Sequence, residues 1–151
     1  MKNVALAALL MITVGCSGSK FPKTYPVTGV VTYNGDPVEN AVVTLIPVDP
    51  AGRSASGETD AQGEFSVKTY HGPANQPLGA LEGDYSIIVS KVEAQKFPDN
   101  LTPEELMEAQ KKMPPPKSLL PLSYSNAKTS DLKATIERGK PTKLVLELKD
   151  K

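Results

Sequence analysis

The chain has 151 residues, and its 17 Lys and Arg residues balance 17 Asp and Glu residues. A zero net charge offers no basic excess for binding nucleic acid, so we expect no nucleic-acid partner. One cysteine excludes an internal disulfide, and one cysteine with one histidine cannot supply the roughly three or four protein ligands of a zinc site.

The first element in chain order is a short apolar run behind a positive residue. Lys2 precedes the run at residues 4–14, VALAALLMITV. A membrane-spanning helix needs about 20 apolar residues, so this run has the length of the hydrophobic region of a signal peptide. We therefore predict that residues 1–15 are an export signal and that cleavage falls before Cys16.

The end of this signal, Val14-Gly15-Cys16, resembles that of bacterial lipoproteins, although Thr13 stands where Leu is commonest. The resemblance implies a diacylglycerol on the thiol of Cys16 and a further acyl chain, such as palmitate, on the new amino terminus. More than one chain anchors a protein stably, whereas one gives marginal binding. The alternative is ordinary cleavage that leaves a free thiol.

Lipidation would place the protein in the cell envelope, with the lipid as its contact with the membrane. The resemblance implies a location on the outer membrane or its periplasmic face. Residues 16–24, CSGSKFPKT, are predicted to be the lipidated tether, and their Gly, Ser and Lys content is typical of a short flexible linker.

Residues 25–151 suit one domain, in which alternating apolar and polar residues predict six half-buried strands. A seventh, short strand is predicted at residues 54–60. Seven short antiparallel strands indicate an all-β, two-sheet sandwich. The predicted inward positions are Tyr25, Val27, Val31 and Tyr33; Ala41, Val43 and Leu45; Phe65 and Val67; Tyr85, Ile87 and Val89; Leu132, Ala134 and Ile136; and Leu144, Leu146 and Leu148.

Turn residues separate these strands. Asn34-Gly35 favours a turn with positive φ. Asp60 and Gly63 predict a hairpin in which the Asp side chain bonds its own turn and the Gly is left-handed. Gly83 leads into the strand of Tyr85 and its neighbours.

One insertion, residues 100–116, interrupts the strands and predicts a helix over residues 102–113. Thr102 suits the N-cap, Pro103 the first turn and Glu105 the third position of a capping box. Leu106, Ala109 and Met113 form a narrow apolar stripe on this helix. The stripe either docks on the domain or fits a partner, so Leu106 and Met113 are candidate partner-binding residues.

Three segments, VTGVVTYNGDPVENAVVTLIP, ETDAQGEFSV and LEGDYSIIVSK, resemble the carboxypeptidase regulatory-like domain, a transthyretin-like (prealbumin-like) β-sandwich. Glu82 departs from the family's usual Pro. The resemblance implies a stable module without a catalytic site, a cofactor or a small-molecule substrate. The residues that fall on the family pattern are Val27, Gly29, Val31, Gly35, Pro37, Ala41, Val43, Leu45, Thr59, Asp60, Gly63, Phe65, Gly83 and Tyr85.

Two other functions, hydrolysis of hydroxyisourate and calcium binding, are weighed against the same residues. The transthyretin-like fold also hosts a hydroxyisourate hydrolase, but its site needs several His and Arg residues. This chain has only His71, expected to be exposed, and Arg53 and Arg138. Glu58, Asp60 and Glu64 flank one turn without the spacing of an EF-hand calcium site.

The sequence thus predicts a non-catalytic, lipid-anchored envelope module with a structural or protein-binding role. The alternative is a carbohydrate-binding module that uses the 70–83 loop or the 100–116 insertion. Such modules stack sugars on exposed aromatic rings, for which the candidates are few. The expected partners are the membrane, through the lipid, and an envelope protein or polysaccharide. The candidate exposed rings are Phe21, Tyr70, Phe97 and Tyr124.

Overall fold

The structure is a computed structural model that describes residues 21–94, 97–98 and 100–150. The predicted signal at residues 1–15 and the predicted lipid attachment at Cys16 lie outside the described residues. In the described part the chain forms nine strands, one α-helix and one 3₁₀-helix. They are β1 (Val27–Tyr33), β2 (Asp36–Pro37), β3 (Val42–Pro47), β4 (Ala55–Glu58), β5 (Glu64–Ser66), β6 (Lys68–Thr69), β7 (Gly83–Ser90), α1 (Pro103–Lys112), the 3₁₀-helix Leu122–Ser125, β8 (Lys133–Ile136) and β9 (Thr142–Leu148).

The strands form two sheets around one core. In the first sheet β1 is central, with β9 on one side and β2 and β5 on the other. The second sheet has the order β6-β4-β3-β7-β8. Inward side chains of both sheets belong to one buried cluster, so the predicted all-β sandwich is confirmed at this level.

Two details of the predicted sandwich were wrong. The described residues hold nine strands rather than seven, because β2 and β6 have two residues each and are too short to show an alternation. The sandwich is also not wholly antiparallel, since β9 runs parallel to β1 over its full length. The chain crosses from β8 in the second sheet to β9 in the first, so no hairpin forces β9 to oppose its neighbour.

The predicted inward positions form the core with few exceptions. Tyr85, Ile87 and Leu45 are almost completely buried, and Phe65 is 5% exposed. Tyr33, Leu132, Ala134 and Leu144 are only partly buried at the margin of the cluster. Gly29 is needed within β1 because a Cβ there would lie 2.7 Å from the ring of Phe65.

The predicted turn residues adopt the expected conformations. Asn34 and Gly35 have φ of 51° and 96° between β1 and β2. The Asp60 carboxylate accepts hydrogen bonds from the backbone N–H of Gln62 at 3.0 Å and of Glu64 at 2.9 Å. Gly63 and Gly83 have φ of 75° and 136°, a region that favours glycine.

Candidate functional site

Helix α1 begins as its sequence predicts. The Thr102 hydroxyl accepts the backbone N–H of Glu105 at 3.3 Å, and the Glu105 carboxylate accepts the backbone N–H of Thr102 at 2.9 Å. These two bonds form the capping box, with Pro103 at the start of the helix. The hydrogen bonds from the backbone and the hydroxyl of Thr102 lower the pKa of Glu105. The helix therefore carries its own stabilising contacts.

The apolar stripe of α1 is not buried in the core of the sandwich. None of the ten residues of the helix is buried. Leu106 and Ala109 are partly buried, whereas Met107 is 59% exposed and Met113, at the C-cap, is 38% exposed. The insertion thus presents two methionine side chains to solvent, where their flexible thioethers can adapt to a surface.

Met113 also lines a small pocket at the base of the insertion, with a volume of 260 Å³. Of the two candidate partner-binding residues, Met113 lies at this pocket and Leu106 is not part of its lining. The pocket lies between the two chain segments that connect the insertion to the sandwich, residues 91–94 and 117–119. Its wall is mainly apolar and includes three consecutive prolines, whose φ angles are fixed. Its lining residues are Glu93, Ala94, Met113, Pro114, Pro115, Pro116 and Lys117.

Backbone hydrogen bonds join these two connecting segments where they leave the sandwich. The N–H of Glu93 donates to the carbonyl of Lys117 at 2.9 Å, and the N–H of Leu119 donates to the carbonyl of Lys91 at 2.8 Å. Sequence reasoning missed this pocket because it depends on pairing across the insertion. The run Pro114 to Pro116 was interpreted only as a helix stop.

The insertion leaves the sandwich at the end where β1 finishes. Lys91 and Leu120 line one depression together with Tyr33 and Asp36, which flank the Asn34-Gly35 turn. We call this region the far end. The Asp150 carboxylate accepts hydrogen bonds from Tyr33 and Asn34 there, which lowers the pKa of Asp150.

The last residue of the predicted tether and the residue after it are held at the opposite end, where β1 begins. Tyr25 and Ala80 exchange backbone hydrogen bonds of 2.7 and 3.0 Å, and the Thr24 hydroxyl donates to the carbonyl of Leu78 at 2.8 Å. We call this region the tether end. Residues 24 and 25 are therefore fixed on the 70–83 loop.

A depression of 540 Å³ lies at the tether end, and Arg138 is paired beside it. Its guanidinium donates two hydrogen bonds of 2.7 Å to the Glu82 carboxylate. This pair lowers the pKa of Glu82 and raises that of Arg138. Glu82 thus links the 70–83 loop to the β8–β9 turn through its ion pair with Arg138.

The candidate sugar-stacking rings differ in their exposure. Phe21 is 42% and Tyr70 58% exposed, and Phe97 is partly buried. The expectation that Tyr124 is exposed was wrong. It is 3% exposed because the 3₁₀-helix Leu122–Ser125 packs beside β7, and its hydroxyl donates to the Lys149 carbonyl at 3.3 Å.

The expectation that His71 is exposed and solvated was also wrong. Its side chain is partly buried, and its ring centroid lies 4.9 Å from that of Phe21. Both ring nitrogens are shielded from solvent and have no protein hydrogen-bond partner within the described residues. The ring packs beside Phe21, and the described residues bring no Ser–His–Asp arrangement to it.

Glu58, Asp60 and Glu64 line one depression, but they do not form a cation site. In residues 21–94, 97–98 and 100–150, no three His, Cys, Asp or Glu side chains are placed to hold a metal ion. Asp60 is already used by its turn, as the sequence predicts.

None of the helices in the described part of the chain is both long and apolar enough to cross a bilayer. Family models, curated proteins and solved structures were each compared with the chain, and none of them matches it.

Proposed function

We propose that this chain is a non-catalytic, lipid-anchored module of the cell envelope that presents its 100–116 insertion to a protein partner. The observation that carries the proposal is the position of two segments. The chain that follows the tether is fixed at one end of the sandwich, and the insertion leaves from the other end. The sandwich then acts as a rigid spacer between an anchor and a binding element.

The anchor rests on Val14-Gly15-Cys16 behind a short apolar run. The balanced charge of the chain gives little electrostatic attraction to anionic lipid, so acyl chains would hold the protein at the membrane. The predicted tether would place the domain a short distance above the bilayer, with its tether end facing the lipid.

The distance between the ends follows from β1. Its seven residues span about 20 Å at 3.3 Å per residue. An upright anchored domain would therefore hold the insertion at least this far beyond its tether end. Met107 and Met113 are exposed, and Met113 lines the proline-walled pocket. Flexible thioethers beside an apolar pocket suit a protein segment.

The transthyretin-like assignment is supported by where the motif residues fall. Gly35, Gly63 and Gly83 occupy positive-φ turns, and Phe65 and Tyr85 occupy the core. These are packing and backbone roles. A catalytic function gains no support, because within the described residues neither ring nitrogen of His71 is hydrogen-bonded to a nucleophile.

A carbohydrate-binding role at the tether end is the second candidate. The observation in its favour is that Phe21 and Tyr70 are both exposed near the 70–83 loop. An upright anchored domain would turn this loop toward the lipid, which leaves less room for a polysaccharide. Loss of glycan binding in Tyr70→Ala with retention in the insertion variants below would favour this candidate.

The insertion is tested by crosslinking in intact cells that express the full chain. Met107→Gln with Met113→Gln should abolish a crosslinked product that the parent chain forms. The matched control is Val48→Gln, because Val48 is also an exposed apolar residue, 64% exposed, but lies outside the insertion. A product that survives the double substitution unchanged would contradict a protein-binding role for this surface.

The anchor is tested separately. Cys16→Ser should remove acyl labelling and release the protein from membranes while the domain stays folded. A variant that remains bound to membranes with an unchanged mass would contradict lipid attachment at Cys16.

A further inference from the structure

Strand β9 forms the longest open edge of the two sheets. It pairs with β1 at all seven positions, and within the described residues no strand lies on its other side. The other edge strands are shorter, with four residues in β8, three in β5 and two each in β2 and β6. Short edges resist pairing with another chain, whereas a long regular edge can accept a further strand.

The backbone groups that point away from β1 can be assigned from two hydrogen bonds. Thr142 donates its N–H to the Pro26 carbonyl at 2.9 Å, and the Leu148 carbonyl accepts from Asn34 at 2.9 Å. Because successive residues of a strand point their N–H and C=O groups to opposite edges, residues 143, 145 and 147 point theirs to the open edge. Lys149, the next in this series, is already bonded by the Tyr124 hydroxyl at 3.2 Å.

The same three residues carry the exposed side chains of β9. Lys143 and Glu147 are exposed, and Val145 between them is 63% exposed. The ion pairs found among the described residues include neither Lys143 nor Glu147. The open edge thus presents a positive, an apolar and a negative side chain in order.

The segment Lys143-Leu144-Val145-Leu146-Glu147 is complementary to itself when reversed. In an antiparallel pair centred on Val145, Lys143 of each copy lies opposite Glu147 of the other, and the two Val145 residues face each other. Opposite charges and apolar residues in facing positions stabilise a strand pair. All three facing pairs involve residues whose backbone groups point outward, so their N–H and C=O groups can bond reciprocally.

Other registers lose this match. A shift by one pair in one direction places Lys143 opposite Lys149, and a shift in the other direction places Lys143 opposite Val145. A parallel pair in register places like charges side by side. The side chains therefore specify both the direction and the register of the pairing.

We propose that β9 is the self-association edge of this protein and that its occupant is β9 of a second copy, antiparallel and centred on Val145. The contact is isologous, as two-fold symmetry requires, and it joins the two first sheets into one. One strand edge buries less area than a stable complex needs, so the dimer is reversible and concentration-dependent.

The pairing does not depend on the proposed anchor, but it has a consequence for anchored copies. The two β9 strands run in opposite directions, so the tether ends lie at opposite ends of the joined sheet. Two copies in one bilayer would therefore lie with their strands along the membrane. A paired copy and an upright copy are alternative arrangements of the same protein.

The register is tested with single thiols in the full chain, with the parent chain as the control for Cys16. Val145→Cys should form an oxidised dimer, because facing Cα atoms in such a pair are about 5.5 Å apart, within the range of a disulfide. Lys143→Cys alone and Glu147→Cys alone should not, but the mixture of these two variants should.

Two outcomes overturn the proposal. Crosslinking of Val145→Cys no greater than that of Lys143→Cys alone would show that the strands do not pair in this register. Efficient crosslinking of all three single variants would indicate a parallel contact. All three substituted side chains are exposed, so each variant should melt at nearly the same temperature as the parent, as is usual for surface changes.

Charge reversal is an independent test. Lys143→Glu places like charges at two facing positions and should weaken dimerisation, measured by sedimentation, by about tenfold. Lys143→Glu combined with Glu147→Lys restores opposite charges at both positions and should recover the dimer. Equal dimerisation by the parent and the single variant, or no recovery in the double variant, would overturn the proposed pairing.

Discussion

The two ends of the sandwich hold their protruding segments in different ways. At the tether end, Tyr25 is buried and paired with Ala80 by two backbone hydrogen bonds, so the entering chain is part of the fold. At the far end, the insertion is attached by a short hydrogen-bonded base, and its helix contributes no buried residue. One end is integrated into the core, and the other carries a helix whose amino end is capped by its own residues. This difference separates what the domain needs for folding from what it can offer for binding.

The largest expected effect comes from the core that both ends share. Phe65 is 5% exposed and packs on Gly29 of β1. Phe65→Ala should lower the free energy of unfolding by about 3–5 kcal/mol, as truncation of a buried aromatic does. Denaturant melts measure the loss. A change below about 1 kcal/mol would mean that the two sheets do not depend on this contact.

The integration of the tether end is tested at Gly79, which has φ of 94°. A Cβ there would lie 2.0 Å from the Tyr25 carbonyl oxygen, so Gly79→Ala adds a clash to backbone strain. We expect a loss of about 3 kcal/mol, the upper end of the range for strained positions. Gly72→Ala is the matched control, with φ of 125° and open space around it. It should cost about 1 kcal/mol. Equal melting temperatures for the two variants would show that the Tyr25 contact is not needed.

Replacing residues 100–116 with a short Gly/Ser linker tests whether the sandwich folds without the insertion. No residue of α1 is buried, and loop-closure entropy changes slowly with loop length. The melting temperature should shift by only a few degrees, roughly 1 kcal/mol for a domain of this size. Complete unfolding would show that the insertion belongs to the core, and the comparison between the two ends would then be wrong.

The smallest effect is confined to the helix. Thr102→Ala removes a cap and should cost α1 about 1 kcal/mol while the sandwich keeps its melting temperature. Amide hydrogen exchange of residues 103–112 measures the change. Lys112→Ala is the control, because it removes an exposed ion pair with Glu108 and should have little effect.

The capping box also predicts a pH dependence of the helix. The folded-state pKa of Glu105 is lowered, so its contribution is present above the ordinary pKa of a glutamate, about 4.3, and is lost as the pH falls through the lowered value. Exchange of the α1 amides should therefore speed up in acid, beyond the intrinsic pH effect, and Glu105→Gln should reduce this acid sensitivity. An unchanged acid response in Glu105→Gln would contradict the role of its carboxylate.

Local chemistry in the sequence determined the longer strands, their turns and the start of the helix. Alternation located six of the nine strands in the described residues, because side chains of a strand alternate between faces whatever the strand pairs with. The short strand predicted at residues 54–60 corresponds to β4. Asn34-Gly35, Asp60 and Gly63 predicted their turns, and Thr102 with Glu105 predicted the start of α1, since each acts within a few residues of itself.

Only the tertiary structure decided which elements meet. The parallel pairing of β9 with β1 joins residues more than 100 positions apart, and no local pattern encodes that direction. Because β9 pairs with β1 on one side only, it is an edge strand. Lys143, Val145 and Glu147 therefore lie along an open edge, where their order is complementary to that of a second copy. Tyr124 and His71 were assigned wrongly for the same reason, because their burial is set by distant packing. The sequence by itself determined the longer strands, their turns and the helix cap, because these depend on neighbouring residues. The open edge, the two ends and the pocket at Met113 arise from long-range contacts.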